Sequence, residues 1–160
     1  MPAPTLMLSL DAAACTGCRL CELACVERHY GPVPDHDVEH PVVFNRRRLA
    51  IRGSGEGGWR LEACDHCEAR SCVPTCPHLA LLTWGNGAVT LIEPRCTGCG
   101  ACIAACDRHA IRRVGALSKA IKCDGCASDG ERPACVVACP HDALRMVPLG
   151  PRARPEGQPH

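Results

Sequence analysis

Residues 15–25 read "CTGCRLCELAC", four cysteines at successive gaps of two, two and three residues, and no further cysteine follows until Cys64. Residues 96–106, "CTGCGACIAAC", repeat that spacing. Residues 64–76, "CDHCEARSCVPTC", and 123–139, "CDGCASDGERPACVVAC", keep the C-x2-C start and the C-x3-C finish and lengthen only the middle gap. The inserted "EARS" and "ASDGERPA" are polar and turn-forming, as a solvent loop should be. All 16 cysteines of the 160-residue chain fall into these four quartets, so the repeat organises the whole sequence.

Aromatic residues make up only 2% of the chain, so a large apolar core of the usual kind is not expected and something else must fill the interior. A disulfide scaffold would need an oxidising compartment and normally a leader peptide. The opening "MPAPTLMLSLDAAAC" has no positively charged leader and no twin-arginine pair, and no window approaches the roughly 20 apolar residues of a spanning helix. The expectation is a soluble, cytoplasmic protein with its thiols reduced or metal-bound. The formal charge of +1 gives no electrostatic footprint for nucleic acid and no attraction to a membrane surface.

Zinc competes for four thiolates, but a zinc ribbon uses two C-x2-C knuckles separated by a longer segment. Three cysteines at successive gaps of two put three thiolates around one centre from a single tight loop, which suits the corners of a cubane. The run C-x2-C-x2-C-x3-C-P is the mark of a four-iron cluster, with the fourth cysteine ligating the other cluster of a pair. Gly17, Gly98 and Gly100 let the loops curl close to a cluster. Pro77 and Pro140 follow the second and fourth quartets, whereas Val26 and Asp107 stand in that place after the first and third. Four [4Fe-4S] clusters, at about two negative charges each with their thiolates, would take the formal +1 to about −7. Folding should depend on metal, because sixteen thiolates gathered without iron would repel one another.

Short strands are expected to bracket the cysteine loops: "TLMLSLD" before the first quartet, two runs around Gly85-Asn86-Gly87, "HAIRRV" after the third quartet and "DALRMV" after the fourth. Each C-x3-C is expected on a single helical turn. The fold class is α+β and loop-rich, with short hairpins and short helices.

The four quartets resemble the four-cluster iron–sulfur subunits of molybdenum and tungsten oxidoreductases and of related hydrogenase, formate dehydrogenase or carbon monoxide dehydrogenase systems. The resemblance covers about residues 5–147. It implies two interlocked halves that each resemble a bacterial dicluster ferredoxin: residues 1–25 with 107–147 as an outer half and 61–106 as an inner half. Residues 26–60 are then an insertion that could shape a docking surface, and 148–160 a tail that is disordered or laid along a partner. The resemblance further implies four ligand sets: Cys15, Cys18, Cys21 and Cys139; Cys25, Cys123, Cys126 and Cys135; Cys64, Cys67, Cys72 and Cys106; and Cys76, Cys96, Cys99 and Cys102. "CTGCRLCELACVERH", with Glu22 and His29, is also similar to the opening of small ferredoxin-like proteins that accompany tungsten aldehyde oxidoreductases.

Cubanes with four protein ligands leave no open iron for substrate, and the C-x3-C-x2-C order of radical enzymes is absent. "GSGEGG" at Gly53–Gly58 has no helix after it and reads as a hairpin turn rather than a nucleotide loop. The function expected is therefore electron relay without catalysis. The expected partner is a catalytic large subunit, with a tungsten or molybdenum aldehyde oxidoreductase as the narrowest form, and a flavin- or NAD-reactive subunit or a ferredoxin as the second carrier. A free polyferredoxin shuttle and a structural zinc module remain as alternatives, and copies meeting end to end could extend the relay. Arg46, Arg47 and Arg48 read as a solvated strand end or else a partner-docking run, and His66, His78, His109 and His141 as near-surface spectators beside the quartets or else groups that tune potential or protonation.

Overall fold

The structure is a computed structural model and describes residues 4–113, 115, 118–127 and 132–150. The expected tail from 151 onward and part of the loop before Ala134 lie outside the described residues. Three two-stranded antiparallel sheets carry the β structure. Strand β1 (Leu6–Leu10) pairs with β6 (Leu144–Pro148) in the register Leu6↔Pro148 to Leu10↔Leu144, so the sequence near the start lies against the sequence near the end. Strands β2 (Ala50–Gly53) and β3 (Trp59–Glu62) form a hairpin whose turn is the glycine-rich "GSGEGG", closed where Ser54 N–H donates to the Gly58 carbonyl at 2.7 Å. Strands β4 (Leu81–Thr83) and β5 (Val89–Leu91) form the hairpin signalled by Gly85-Asn86-Gly87. Asn86 Oδ1 accepts from Ala88 N–H at 3.1 Å there, and Gly87 takes φ +82°. "HAIRRV" makes only an isolated bridge, Arg112 to Ile121, rather than a strand.

Helices α3 (Cys72–Thr75), α4 (Ala101–Ala104) and α5 (Ala134–Val137) are the single turns expected between the third and fourth cysteines. The first quartet departs from this: its helix α1 (Leu20–Tyr30) runs 11 residues, straight through Cys25. Proline explains part of the contrast. Pro77 and Pro140 follow Cys76 and Cys139 and cannot continue a helix, whereas Val26 can, and it is 1% exposed. The extension carries Tyr30 outward to a short helix α2 (Pro41–Arg46), which begins with proline at its first turn and a cap in which His40 Nδ1 accepts from Val42 N–H.

Three small cores replace one large one. The first joins Leu8, Leu49, Ile51, Val136 and Leu144 to Cys21, Cys25, Cys123 and Cys135. The second joins Leu81, Val89, Ile111 and Ala120 to Cys72 and Cys102. The third, Leu23, Val26, Val33 and Val43, belongs to residues 23–43 and contains no cysteine. Helix α1 packs on α5, and α3 on α4, so the first and fourth quartets meet, as do the second and third. Among the described residues no helix is long and apolar enough to cross a membrane.

Candidate metal centres

Each quartet opens with a loop whose third residue is left-handed: Gly17 at φ +72°, Gly98 at +74°, Gly125 at +67° and, in the second quartet, His66 at +53°. That turn brings the backbone round so that the paired cysteines face one centre. At Gly17 a side chain is excluded twice over, because a Cβ would lie 2.1 Å from Trp59 Cζ2 and the backbone is strained for any L residue. Gly17→Ala should therefore lower the melting midpoint by at least the equivalent of about 1–2 kcal/mol. Gly55→Ala, in open space without positive φ, should leave it in place, and differential scanning calorimetry on the metal-loaded protein checks the pair.

Backbone donors aim at the sulfurs. Cys76 Sγ accepts from Ala80 N–H at 3.3 Å and Cys139 Sγ from Ala143 N–H at 3.2 Å, each across a left-handed residue, Leu79 and Asp142. Cys64 Sγ accepts from His66 N–H and Cys96 Sγ from Ala120 N–H, both at 3.4 Å. Such donors favour negative charge on sulfur and orient the ligand.

The cysteines converge in the following way. One cavity is lined by Cys15, Cys18, Cys21 and Cys139, with Arg19 and Ile51 beside them. Another is lined by Cys76, Cys96, Cys99 and Cys102. A third takes in Cys67, Cys72 and Cys106, and Cys72 lies in the electrostatic field of Cys64, Cys106 and Cys67. Cys135 is surrounded by Cys123, Cys25 and Cys126 and, more remotely, Cys21. None of the sixteen is joined in a disulfide, and Cys18 and Cys99 reach the surface. An all-thiol donor set supplemented by backbone N–H groups fits iron–sulfur clusters well.

Burial pushes the Cys21 thiol up to about 12 and those of Cys25 and Cys72 up to about 11. It raises Cys123 and Cys135 for the same reason. Burial thus favours the protonated form of these five thiols when no metal is bound. Metal entry must displace protons from them.

A layer of buried charge surrounds the sulfurs. Glu22, fully buried, accepts from Ile51 N–H at 2.8 Å and from Arg19 at 3.1 Å and 3.0 Å, and pairs with Arg47 at 3.5 Å. The arginine run is thus no solvated strand end. Arg47 is 1% exposed and stacks on Phe44, and Arg48 reaches Asp124 at 2.6 Å and Glu93 at 3.3 Å. His78, His109 and His141 are exposed as expected, but His66 is 2% exposed and accepts from Val89 N–H at 3.0 Å through Nδ1. Burial, aided by nearby Lys122, lowers its pKa to about 4. His29 lies 3.6 Å from Asp124, with Cys126 close by, which ties α1 to the fourth quartet. Lys122, buried directly before Cys123, is not singled out by spacing; its signal is a lone cation inside "AIKCDGC".

Two 4Fe-4S dicluster domain families match the sequence, one over residues 59–148 and one over residues 14–82. The B subunit of the anaerobic dimethyl sulfoxide reductase of Escherichia coli (strain K12) is 32% identical over 155 residues, which cover 88% of this chain and 72% of that protein. The thiosulfate reductase electron transfer subunit PhsB of Salmonella typhi is 35% identical over 147 residues, covering 85% and 72% respectively. Among solved structures, the active site complex BamBC of benzoyl coenzyme A reductase superposes with a TM-score of 0.47 at 23% identity, over 94% of this chain and 83% of that one.

Proposed function

Because this protein belongs to the 4Fe-4S dicluster domain family, we propose that it is the electron-transfer subunit of a larger oxidoreductase, relaying single electrons between a catalytic subunit and a second carrier. Its cofactors are [4Fe-4S] clusters, and two dicluster regions imply four of them. The observation that carries the reading is the sorting of sixteen cysteines into four all-thiol groups with none left over.

The ligand sets are Cys15, Cys18, Cys21 with Cys139; Cys123, Cys126, Cys135 with Cys25; Cys64, Cys67, Cys72 with Cys106; and Cys96, Cys99, Cys102 with Cys76. Each bound cluster stores or passes one electron. The protein's own residues do the rest: they fix the clusters in two interlocked halves, keep water from the buried thiols and bring Cys18 and Cys99 to the surface in the sets of Cys15 and Cys96, which we take for that reason as the two outermost. With every set complete in cysteine, no coordination position is left for a substrate, so chemistry belongs to the partner.

Relatives named as part of a dimethyl sulfoxide reductase and as an electron transfer subunit of a thiosulfate reductase support a catalytic partner of the reductase type. Residues 26–60, with a core of their own and Phe44 half-exposed on α2, supply the docking surface. A cytoplasmic setting is supported by cysteines grouped as metal ligands rather than as a disulfide framework. Native purification with metal analysis tests the assignment: a large molybdenum- or tungsten-containing subunit should accompany the protein, and its recovery alone would favour a free shuttle.

The ligand exchange has its own test. Cys25→Ala should remove or damage the cluster held by Cys123, Cys126 and Cys135 and spare the one begun by Cys15. Iron and sulfide analysis should show a loss of up to about four of sixteen irons. Loss of the Cys15 cluster instead would refute the pairing.

A further inference from the structure

The two halves meet at a buried cation. Lys122 is 2% exposed, and its Nζ donates to the carbonyl of Val89 on β5 and to that of Cys123 at 2.6 Å. It has no carboxylate partner among the described residues. The acids nearby are engaged elsewhere: Asp124 holds Arg48 at 2.6 Å, and Asp65 holds Arg108 at 3.3 Å.

An ammonium taken out of water with only carbonyls for company is costly, so some other anion must balance it. The groups that feel its charge are His66, a neutral imidazole that cannot balance it, and several cysteine sulfurs. Val89, whose carbonyl Lys122 holds, donates its N–H to His66, and His66 N–H donates to Cys64 Sγ, so the cation sits beside the set of Cys64, Cys67, Cys72 and Cys106, and its charge acts on Cys64 and Cys72. It also acts on Cys123, in the set with Cys25, Cys126 and Cys135. One cation therefore stands between two sets that belong to different halves. In the two outermost sets the charges that act most on Cys21 and Cys102 are those of Glu22 and of other cysteines.

We propose that Lys122 is a shared potential-setting cation, the fixed counter-charge of the two clusters at the junction of the halves. Taking [4Fe-4S]2+ to [4Fe-4S]+ adds one electron, supplied by the neighbouring cluster, and makes or breaks no bond. The added negative charge is stabilised by an ammonium held against the ligand sulfurs, so both inner clusters are reduced more easily than they would be without it. Because it serves both, it shifts the potentials of both in the same direction.

The inference rests on the ligand assignment above. The test is a redox titration of the full metal-loaded protein with dithionite, followed by electron paramagnetic resonance. In Lys122→Gln, which keeps donors for the Val89 and Cys123 carbonyls but loses the charge, two of the four midpoints should move to more negative values. The other two should stay. Lys122→Arg should restore most of the shift, and Lys122→Met should match the glutamine variant. Four clusters with all midpoints unmoved in Lys122→Gln would overturn the proposal, as would a shift confined to the outermost pair. An unsubstituted protein with fewer than four midpoints marks a failure of the ligand assignment itself, and the inference falls with it.

Discussion

Stripped of iron under anaerobic conditions, the protein should lose its cooperative thermal transition. The three apolar cores are small, and the first two are built around cysteine sulfurs that face cavities. Without a cluster those sulfurs lose their contacts and leave voids, and a void forfeits both transfer energy and dispersion. The remaining frame is three two-stranded sheets, and an isolated two-stranded hairpin is marginal in water. Structural metal binding is then folding energy, on the order of 10 kcal/mol per site in small metal-dependent domains. Circular dichroism and calorimetry on chelated, reduced protein check this, and a sharp transition in iron-free material would sink it. A pH dependence comes with it. The Cys21 thiol moves from 9.0 to about 12 in the fold, so protons are held more tightly there than in the unfolded chain. Whatever residual structure survives should be firmest below about pH 9 and weaken as the pH rises toward 12.

The second large effect is expected at Glu22. Its carboxylate takes the Ile51 N–H and both Arg19 and Arg47, and Arg47 Nε and Nη1 have no hydrogen-bond partner of their own. Glu22→Ala leaves a guanidinium buried without an anion beside it and orphans a strand N–H. Removing one member of a buried ion pair costs about 3–5 kcal/mol, which for a protein of this size lowers the melting midpoint by more than about 6 °C. Glu22→Leu combined with Arg47→Met should recover much of that loss, because the stranded charge goes too. A cost under about 1 kcal/mol for the alanine variant, measured on the metal-loaded protein, would show that solvent reaches the pair.

Cysteine spacing makes the repeat, the loop turns and the hairpins readable, because each depends on residues a few positions apart. Gly17, Gly98 and Asn86 announce left-handed backbone or a tight turn wherever they occur. What spacing does not convey is tertiary burial. Arg47 reads as one of three adjacent cations, and only the packing of α2 against α1 shows that it is enclosed while Arg46 is not. His66 occupies a position that is glycine in the other three loops, yet nothing local says that Val89 waits to bond it. The length of α1 escapes the spacing argument for a local reason. Val26 in place of proline is neutral toward cluster binding, and its larger effect is on whether the helix stops.

The pairing of Leu6–Leu10 with Leu144–Pro148 has a consequence for the order in which the protein is made. The β4–β5 hairpin and the α3–α4 contact close over short spans of sequence, so these elements have their partners soon after they leave the ribosome. The β1–β6 sheet cannot close until Leu144–Pro148 have emerged, more than a hundred residues after Leu10. At about 5–20 residues per second, Cys15 to Cys25 wait on the order of ten seconds with their strand unpaired and their thiols uncovered. The segment from α3 to β5 can thus close during synthesis before the sheet that joins Leu6–Leu10 to Leu144–Pro148.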